Sequence, residues 1–206
     1  SKPESITLFG DPAYQPQGKL PPLPGTGREV EQIANQVAWR NADIRTGTLA
    51  SRQQFLVDAG KRDILHVAAH GVFDLDNPQL SGIALSDLED EDGFLTLADL
   101  WVLDLSGAQL VVLSGCKTAF GAADSVEGLS GFPASLLAAG AGQVLVSMWD
   151  IPDTATSQLM ARFYEELVTY QRPPSAALRA AQDEVRQIRR WRHPYYWGGW
   201  VLIGTS

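Results

Sequence analysis

Leu110-Val111-Val112-Leu113-Ser114-Gly115-Cys116 and Ile64-Leu65-His66-Val67-Ala68-Ala69-His70-Gly71 decide how this chain is read. Each is a short apolar run that ends in small residues. Runs of this kind are strands buried on both faces, as in a parallel sheet covered by helices. The first closes on the single cysteine of the sequence and the second on a histidine. In open α/β sheets, sites lie at the carboxyl ends of the strands. If the two strands are neighbours, the thiol of Cys116 and the imidazole of His70 face one crevice. That is the layout of a cysteine nucleophile with its base. Taken singly, a free cysteine is ordinarily a small buried hydrophobe and a lone histidine a satisfied core or loop residue. It is the pairing that points to chemistry. Gly71, directly after the histidine, lets backbone approach a substrate closely.

The remaining composition narrows the choices. A chain of 206 residues suits one compact domain with a sizeable core. The formal charge of −8 argues against a nucleic-acid surface, which calls for a basic face. One cysteine excludes an internal disulfide and a multi-cysteine zinc site. A free thiol fits a reducing compartment, the cytoplasm. The opening Ser1-Lys2-Pro3-Glu4-Ser5 has no apolar stretch of the signal-peptide kind. Gly128 to Trp149 carries no charge over a length that could span a bilayer. Pro133, Gln143 and the turn Ala139-Gly140-Ala141-Gly142 instead divide it into a buried helix and the strand Val144 to Ser147.

Along the chain, strands and helices alternate. Ile6 to Phe9 reads as a strand, followed by a Pro/Gly-rich loop from Pro12 to Gly27. Thr26-Gly27-Arg28-Glu29 has capping-box spacing before an apolar face of Val30, Ile33, Ala34 and Val37. A short helix through Gln53 to Leu56 stops near Gly60. After the histidine strand comes a loop-rich insert from Phe73 to Leu95, with a short strand at Gly82 to Leu85. Its acidic run Glu89 to Asp92 lacks the ligand spacing of a calcium loop and reads as a solvated loop. Thr96 looks like a helix cap. A glycine-bearing loop, a helix and the strand to Ser147 follow the cysteine. Two longer helices come late. Asp153 is expected to cap the first, with Leu159, Met160, Phe163 and Leu167 as its core stripe. Pro173-Pro174 opens the second, and Trp197-Gly198-Gly199-Trp200-Val201-Leu202-Ile203 reads as a terminal apolar strand. The alternation predicts a three-layer α/β sandwich with a mostly parallel central sheet.

These stretches resemble the CHAT-domain family, bacterial caspase-like domains often found behind tetratricopeptide repeats. His66-Val67-Ala68-Ala69-His70-Gly71 is similar to the family's histidine motif, and Leu113-Ser114-Gly115-Cys116-Lys117-Thr118 to its cysteine motif. Leu80 to Leu85, Val126 to Leu129 with Phe132 to Gly142, Ser147 to Asp153 and His193 to Trp197 resemble further family segments in the same order. Gly115, Lys117 and Met148 depart from the usual residues. Cys116 follows His70 by 46 residues, near the roughly 50 of caspases.

The resemblance implies a caspase-like sandwich over residues 1–206, the C-terminal effector part of a longer cytoplasmic protein. It implies a cysteine endopeptidase without a cofactor, acting on a protein or peptide substrate. An upstream tetratricopeptide-type sensor region or activating partner would control it, with no direct nucleic-acid contact and no membrane. Cys116 would be the nucleophile and His70 the general acid/base. Backbone N–H groups of Gly71 and Cys116 would hold the oxyanion. Ser114, Asp150 and Asp153 would border the primary specificity pocket, the two acids favouring a basic P1 residue. The rival for Asp153 is a plain helix cap, and for Asp150 a loop anchor. His66 and His193 read as structural, and Trp191, Tyr195, Tyr196, Trp197 and Trp200 as packing. The alternative function is a catalytically silent caspase-like scaffold. A glutaminase-like hydrolase would need its histidine after the cysteine with an acid two residues on, and His193-Pro194-Tyr195 does not supply that. No G-x-S-x-G elbow and no nucleotide-binding glycine loop is present.

Overall fold

A computed structural model of the chain describes residues 2–15, 20–36, 39–72, 76–77, 79, 81–87, 93–114 and 126–204, with residues 126–130 described by their backbone alone. Six strands form the central sheet: β1 (Ser5–Pro12), β2 (Asn41–Gly47), β3 (Ile64–Ala68), β7 (Leu110–Ser114), β8 (Gln143–Ser147) and β9 (Trp200–Gly204). Their spatial order is β2-β1-β3-β7-β8-β9. All neighbours run parallel except β8 with β9. A second, antiparallel sheet holds β4 (His70–Val72), β5 (Gly82–Ala84) and β6 (Phe94–Thr96).

Strand geometry divides the core in two, because alternate side chains leave opposite faces of the sheet. Ile64 and Ala68 of β3, with Leu110 and Val112 of β7, pack towards α1 (Pro24–Gln36), α5 (Asp153–Tyr164) and α6 (Pro174–Gln187). Leu65, Val67, Val111 and Leu113 pack against α2 (Arg52–Asp58), α3 (Leu97–Leu100), α4 (Val126–Ala138) and the small sheet. Every residue of β3, β7 and β8 is buried, which is why these strands read as continuous apolar runs. The three-layer sandwich expected from the sequence is the architecture found.

Local chemistry sets the element ends. Thr96 accepts from the Asp99 backbone while the Asp99 side chain accepts from the Thr96 backbone, a full capping box at α3. Ala59 terminates α2, and Gly60 follows at φ +70°, where a Cβ would lie 2.3 Å from the Asp104 carbonyl oxygen. The last turn beyond α5, Glu165–Thr169, is a π-helix.

Three expectations fail. Helix α1 begins at Pro24, so Thr26 and Glu29 lie inside it and make no capping box. The Thr26 hydroxyl instead donates to the Leu23 carbonyl and accepts from the Asp11 N–H, stapling the helix start to the end of β1. Asp153 is the first helical residue of α5 and not its cap, a position taken by Pro152. Strand β2 is absent from the expected series, because Asn41-Ala42-Asp43-Ile44-Arg45-Thr46-Gly47 is a polar, partly exposed edge strand without an apolar run.

Candidate active site

The two strands expected to lead into the dyad are neighbours. β3 and β7 run parallel with Ala68 opposite Ser114. From that registered pair, His70 comes two residues after the one and Cys116 two residues after the other in sequence. Cys116 itself, as nucleophile and as one oxyanion donor, lies outside the described residues, as does Lys117.

His70 leaves the main sheet and opens the small one, opposite Ala84. It therefore shares no strand face with His66, although their even spacing suggests one. Its Nε2 lies 2.9 Å from the carbonyl oxygen of Pro21. A carbonyl oxygen can only accept, so Nε2 carries the proton and donates it. In the neutral ring, Nδ1 is then the basic nitrogen. The Tyr14 ring packs on the imidazole at 5.7 Å between centroids, and the Tyr14 hydroxyl donates to the Ala84 carbonyl at 2.9 Å. Ring position and tautomer are thus set by two neighbours before any substrate arrives. Gly71, the other oxyanion candidate, is half-buried in β4 and sits opposite Ile83.

Ser114 is fully buried at the end of β7, and its hydroxyl donates to Glu29 Oε1 at 2.6 Å. The same oxygen lies 3.2 Å from Nε2 of the fully buried His66. That contact is close enough for attraction but off the line of a straight hydrogen bond, since Nε2 has no well-aligned acceptor. His66 Nδ1 lies 3.0 Å from the Tyr164 hydroxyl. Burial, reinforced by the charge of Glu29, pushes the Tyr164 phenol well above its ordinary pKa and keeps it a donor. The structural reading of His66 is thereby given partners. Glu29 is a site residue that the sequence reading misses. It falls on the same helical stripe as Val30 and Ile33, and a carboxylate on an apolar stripe is the signal that could have found it.

Asp150 and Asp153 follow the carboxyl end of β8, the strand beside β7, and both are exposed. Asp153 lies against α1, because a Cβ on Gly25 would sit 2.3 Å from its Oδ2. Its carboxylate therefore faces the first turns of α1 and α5, where negative charge is favourable. Trp149, in the same segment, donates its indole N–H to the Tyr195 carbonyl at 2.8 Å, and its ring covers Gly199. His193 accepts from the Tyr195 N–H and caps a short helical turn, which accounts for it structurally. Among the described residues, no group of three His, Cys, Asp or Glu side chains is placed to hold a metal ion.

The comparisons with known proteins fit this arrangement. A family model described as the CHAT domain matches residues 1–205. The chain belongs to the CHAT-domain family. This CHAT domain is 39% identical over 112 residues to tetratricopeptide repeat protein 28 of Mus musculus and 35% identical over 112 residues to that of Homo sapiens. Each match covers 54% of the chain and 4% of the relative, so the chain spans a small part of those proteins. Among solved structures, the CHAT domain superposes on the Arg-specific cysteine proteinase gingipain R with a TM-score of 0.62 at 8% identity, covering 97% of this chain and 45% of that one. It also superposes on the complex of Porphyromonas gingivalis RgpB pro- and mature domains, with a TM-score of 0.54 at 9% identity over 98% and 47% of the two chains. At such identities the likeness establishes the caspase-like fold. Among the described residues, no helix of this CHAT domain is long and apolar enough to cross a membrane.

Proposed function

We propose that this CHAT domain is a cysteine endopeptidase with Cys116 as nucleophile and His70 as general acid/base. The observation that carries the reading is the in-register pair Ala68 and Ser114 on adjacent parallel strands, two residues short of the histidine and of the cysteine. The Pro21 carbonyl adds the second support by leaving Nδ1 of His70 as the base. In the reaction, Nδ1 takes the thiol proton and the thiolate attacks the scissile carbonyl carbon. The carbonyl electron pair moves to oxygen, where the N–H groups of Gly71 and Cys116 stabilise it. The pair returns, the C–N bond breaks, and the amine leaves with the proton from His70. Water then gives its proton to His70 and attacks the thioester, releasing the acid and the thiolate.

The P1 residue in this reading is arginine or lysine, accepted by the exposed Asp150 and Asp153 after β8, while Ser114 is fully buried against Glu29. Asp150 contributes more, because the Asp153 carboxylate already serves two helix starts. The fold neighbour named as Arg-specific supports the same choice. The domain is the effector part of a longer protein whose tetratricopeptide region controls it, as the names of the curated relatives suggest.

Covalent trapping tests the dyad and the pocket together. Peptidyl chloromethyl ketones ending in arginine or leucine are offered to the wild type, His70→Ala and Asp150→Ala, and adducts are mapped by mass spectrometry. The expected adduct is on Cys116, forms roughly ten-fold faster with arginine, and slows at least as much in His70→Ala. Asp150→Ala should lose the preference for arginine. Equal slow labelling of all three chains by both reagents would refute the reading.

A further inference from the structure

The loop before helix α1 touches His70, and the helix itself touches the end of the strand that leads to Cys116. Pro21 holds the His70 ring from the loop. In the second turn of the helix, Glu29 reaches His66 in the middle of β3 and Ser114 at the carboxyl end of β7, from the face on which Ile64, Ala68, Leu110 and Val112 lie. The Glu29 side chain is 4% exposed, and a carboxylate that deep is costly unless it is paired and hydrogen-bonded. Three side chains converge around it: Oη of Tyr164 lies 3.0 Å from Nδ1 of His66, Nε2 of His66 lies 3.2 Å from Oε1 of Glu29, and the Ser114 hydroxyl donates to the same oxygen. β3 and β7 meet α1 at one carboxylate oxygen, and α5 joins through the His66 ring.

A helix that needed only to cover the sheet would place an aliphatic side chain here, like Val30 and Ile33 beside it. A buried polar contact is directional where an apolar one is not. It fixes the position of Ser114 along and across the strand. Ser114 is joined to Cys116 by Gly115 alone, so its position constrains where the following backbone can run.

We propose that Glu29 is a positioning residue, whose buried carboxylate holds Ser114 against His66 and so sets the strand end that leads into Cys116. The role rests on the reading of Cys116 as the nucleophile, but its test does not require peptide cleavage. Cys116 is the one cysteine of the chain, so its alkylation rate by iodoacetamide is read directly from intact mass. The compared chains are the wild type, Ser114→Ala, Glu29→Gln, Glu29→Ala, the double variant Glu29→Ala/Ser114→Ala, and Glu31→Gln as a control at an exposed neighbour on α1. Thermal midpoints are recorded for each, with kcat and KM on any cleaved peptide.

Ser114→Ala should alter the alkylation rate and lower kcat by roughly ten-fold, with KM within about two-fold and little change in the midpoint. Glu29→Gln, whose amide oxygen still accepts from Ser114, should keep at least about a third of wild-type kcat. The double variant should be no worse than Glu29→Ala, because one contact has been cut twice. Wild-type alkylation and kcat in Ser114→Ala would overturn the proposal. So would losses that multiply in the double variant. If the wild type cleaves no peptide even when joined to the proposed tetratricopeptide region, the endopeptidase reading falls, and the alkylation rates alone decide on Glu29. Should Glu29→Ala fail to fold, Ser114→Ala and Glu29→Gln still settle whether Glu29 positions the strand end.

Discussion

His70 shows how much one residue owes to neighbours distant in sequence. Its ring is fixed by Pro21 and Tyr14, 49 and 56 residues earlier, and neither is visible as a partner in the sequence. A carbonyl acceptor holds the tautomer without placing a charge against the ring. Tyr14→Ala removes the ring packing and the hydrogen bond to Ala84. The expected result is a fall in kcat of roughly ten-fold or more through misplacement of the base. The thermal midpoint should move by only a few degrees, which steady-state kinetics beside calorimetry will show. His70 and Cys116 are legible because each closes a buried apolar run. Glu29 is not, because Thr26-Gly27-Arg28-Glu29 has the local spacing of a capping box. Only the docking of α1 onto β3 and β7 sends the carboxylate inward to Ser114.

At the scale of elements, polar contacts tie the pieces that the apolar core brings together. Arg52 of α2 grips Asp99 of α3 through both carboxylate oxygens. Those bonds, with the Thr96 cap, hold the Asp99 carboxyl below the usual range against the opposing effect of burial. In the π-helical turn after α5, Glu166 is 1% exposed and pairs with Arg162 and Arg172. Arg162→Met leaves Glu166 to Arg172, whose side chain is half exposed. Its expected cost is about 2–4 kcal/mol, measured by urea unfolding, because a buried carboxylate loses its better partner. The helices are legible from their stripes. The π-turn is not, since Glu165-Glu166-Leu167-Val168-Thr169 continues a helical pattern. Strand β2 escapes for the opposite reason: an edge strand with half-exposed side chains needs no apolar run.

Over the whole molecule, stability rests on a sheet buried on both faces and on a polar clamp at the ends of its strands opposite the candidate site. Leu159→Ala, in the core between α5 and the sheet, should cost about 2–5 kcal/mol. The clamp is Asp63. Burial raises its carboxyl pKa, but the N–H groups of Glu4 and Ser5, the Ser5 hydroxyl and the Gln109 amide outweigh burial and bring it below the ordinary value. Since the folded-state pKa is the lower one, the stabilisation is present above the unfolded value of about 3.9 and is lost as pH falls through the folded one. Asp63→Asn should therefore melt below the wild type at pH 7, with a gap that narrows below about pH 4. A gap constant from pH 7 to pH 3 would show that Asp63 is not the clamp. The sandwich itself is legible because its central strands obey one pattern, apolar throughout. The candidate site is legible as two strand ends but not as a constellation, since register, the Pro21 loop and the docking of α1 exist only in three dimensions.

Peptide-bond cleavage by Cys116 is the central claim. The direct measurement is cleavage-site profiling by mass spectrometry on a proteome-derived peptide library, with the wild type beside Cys116→Ala. Cleavage by the wild type alone, clustered after arginine or lysine, is the predicted result. Cleavage of equal extent and pattern by both chains, or none by the wild type joined to the upstream tetratricopeptide region proposed for it, would contradict it.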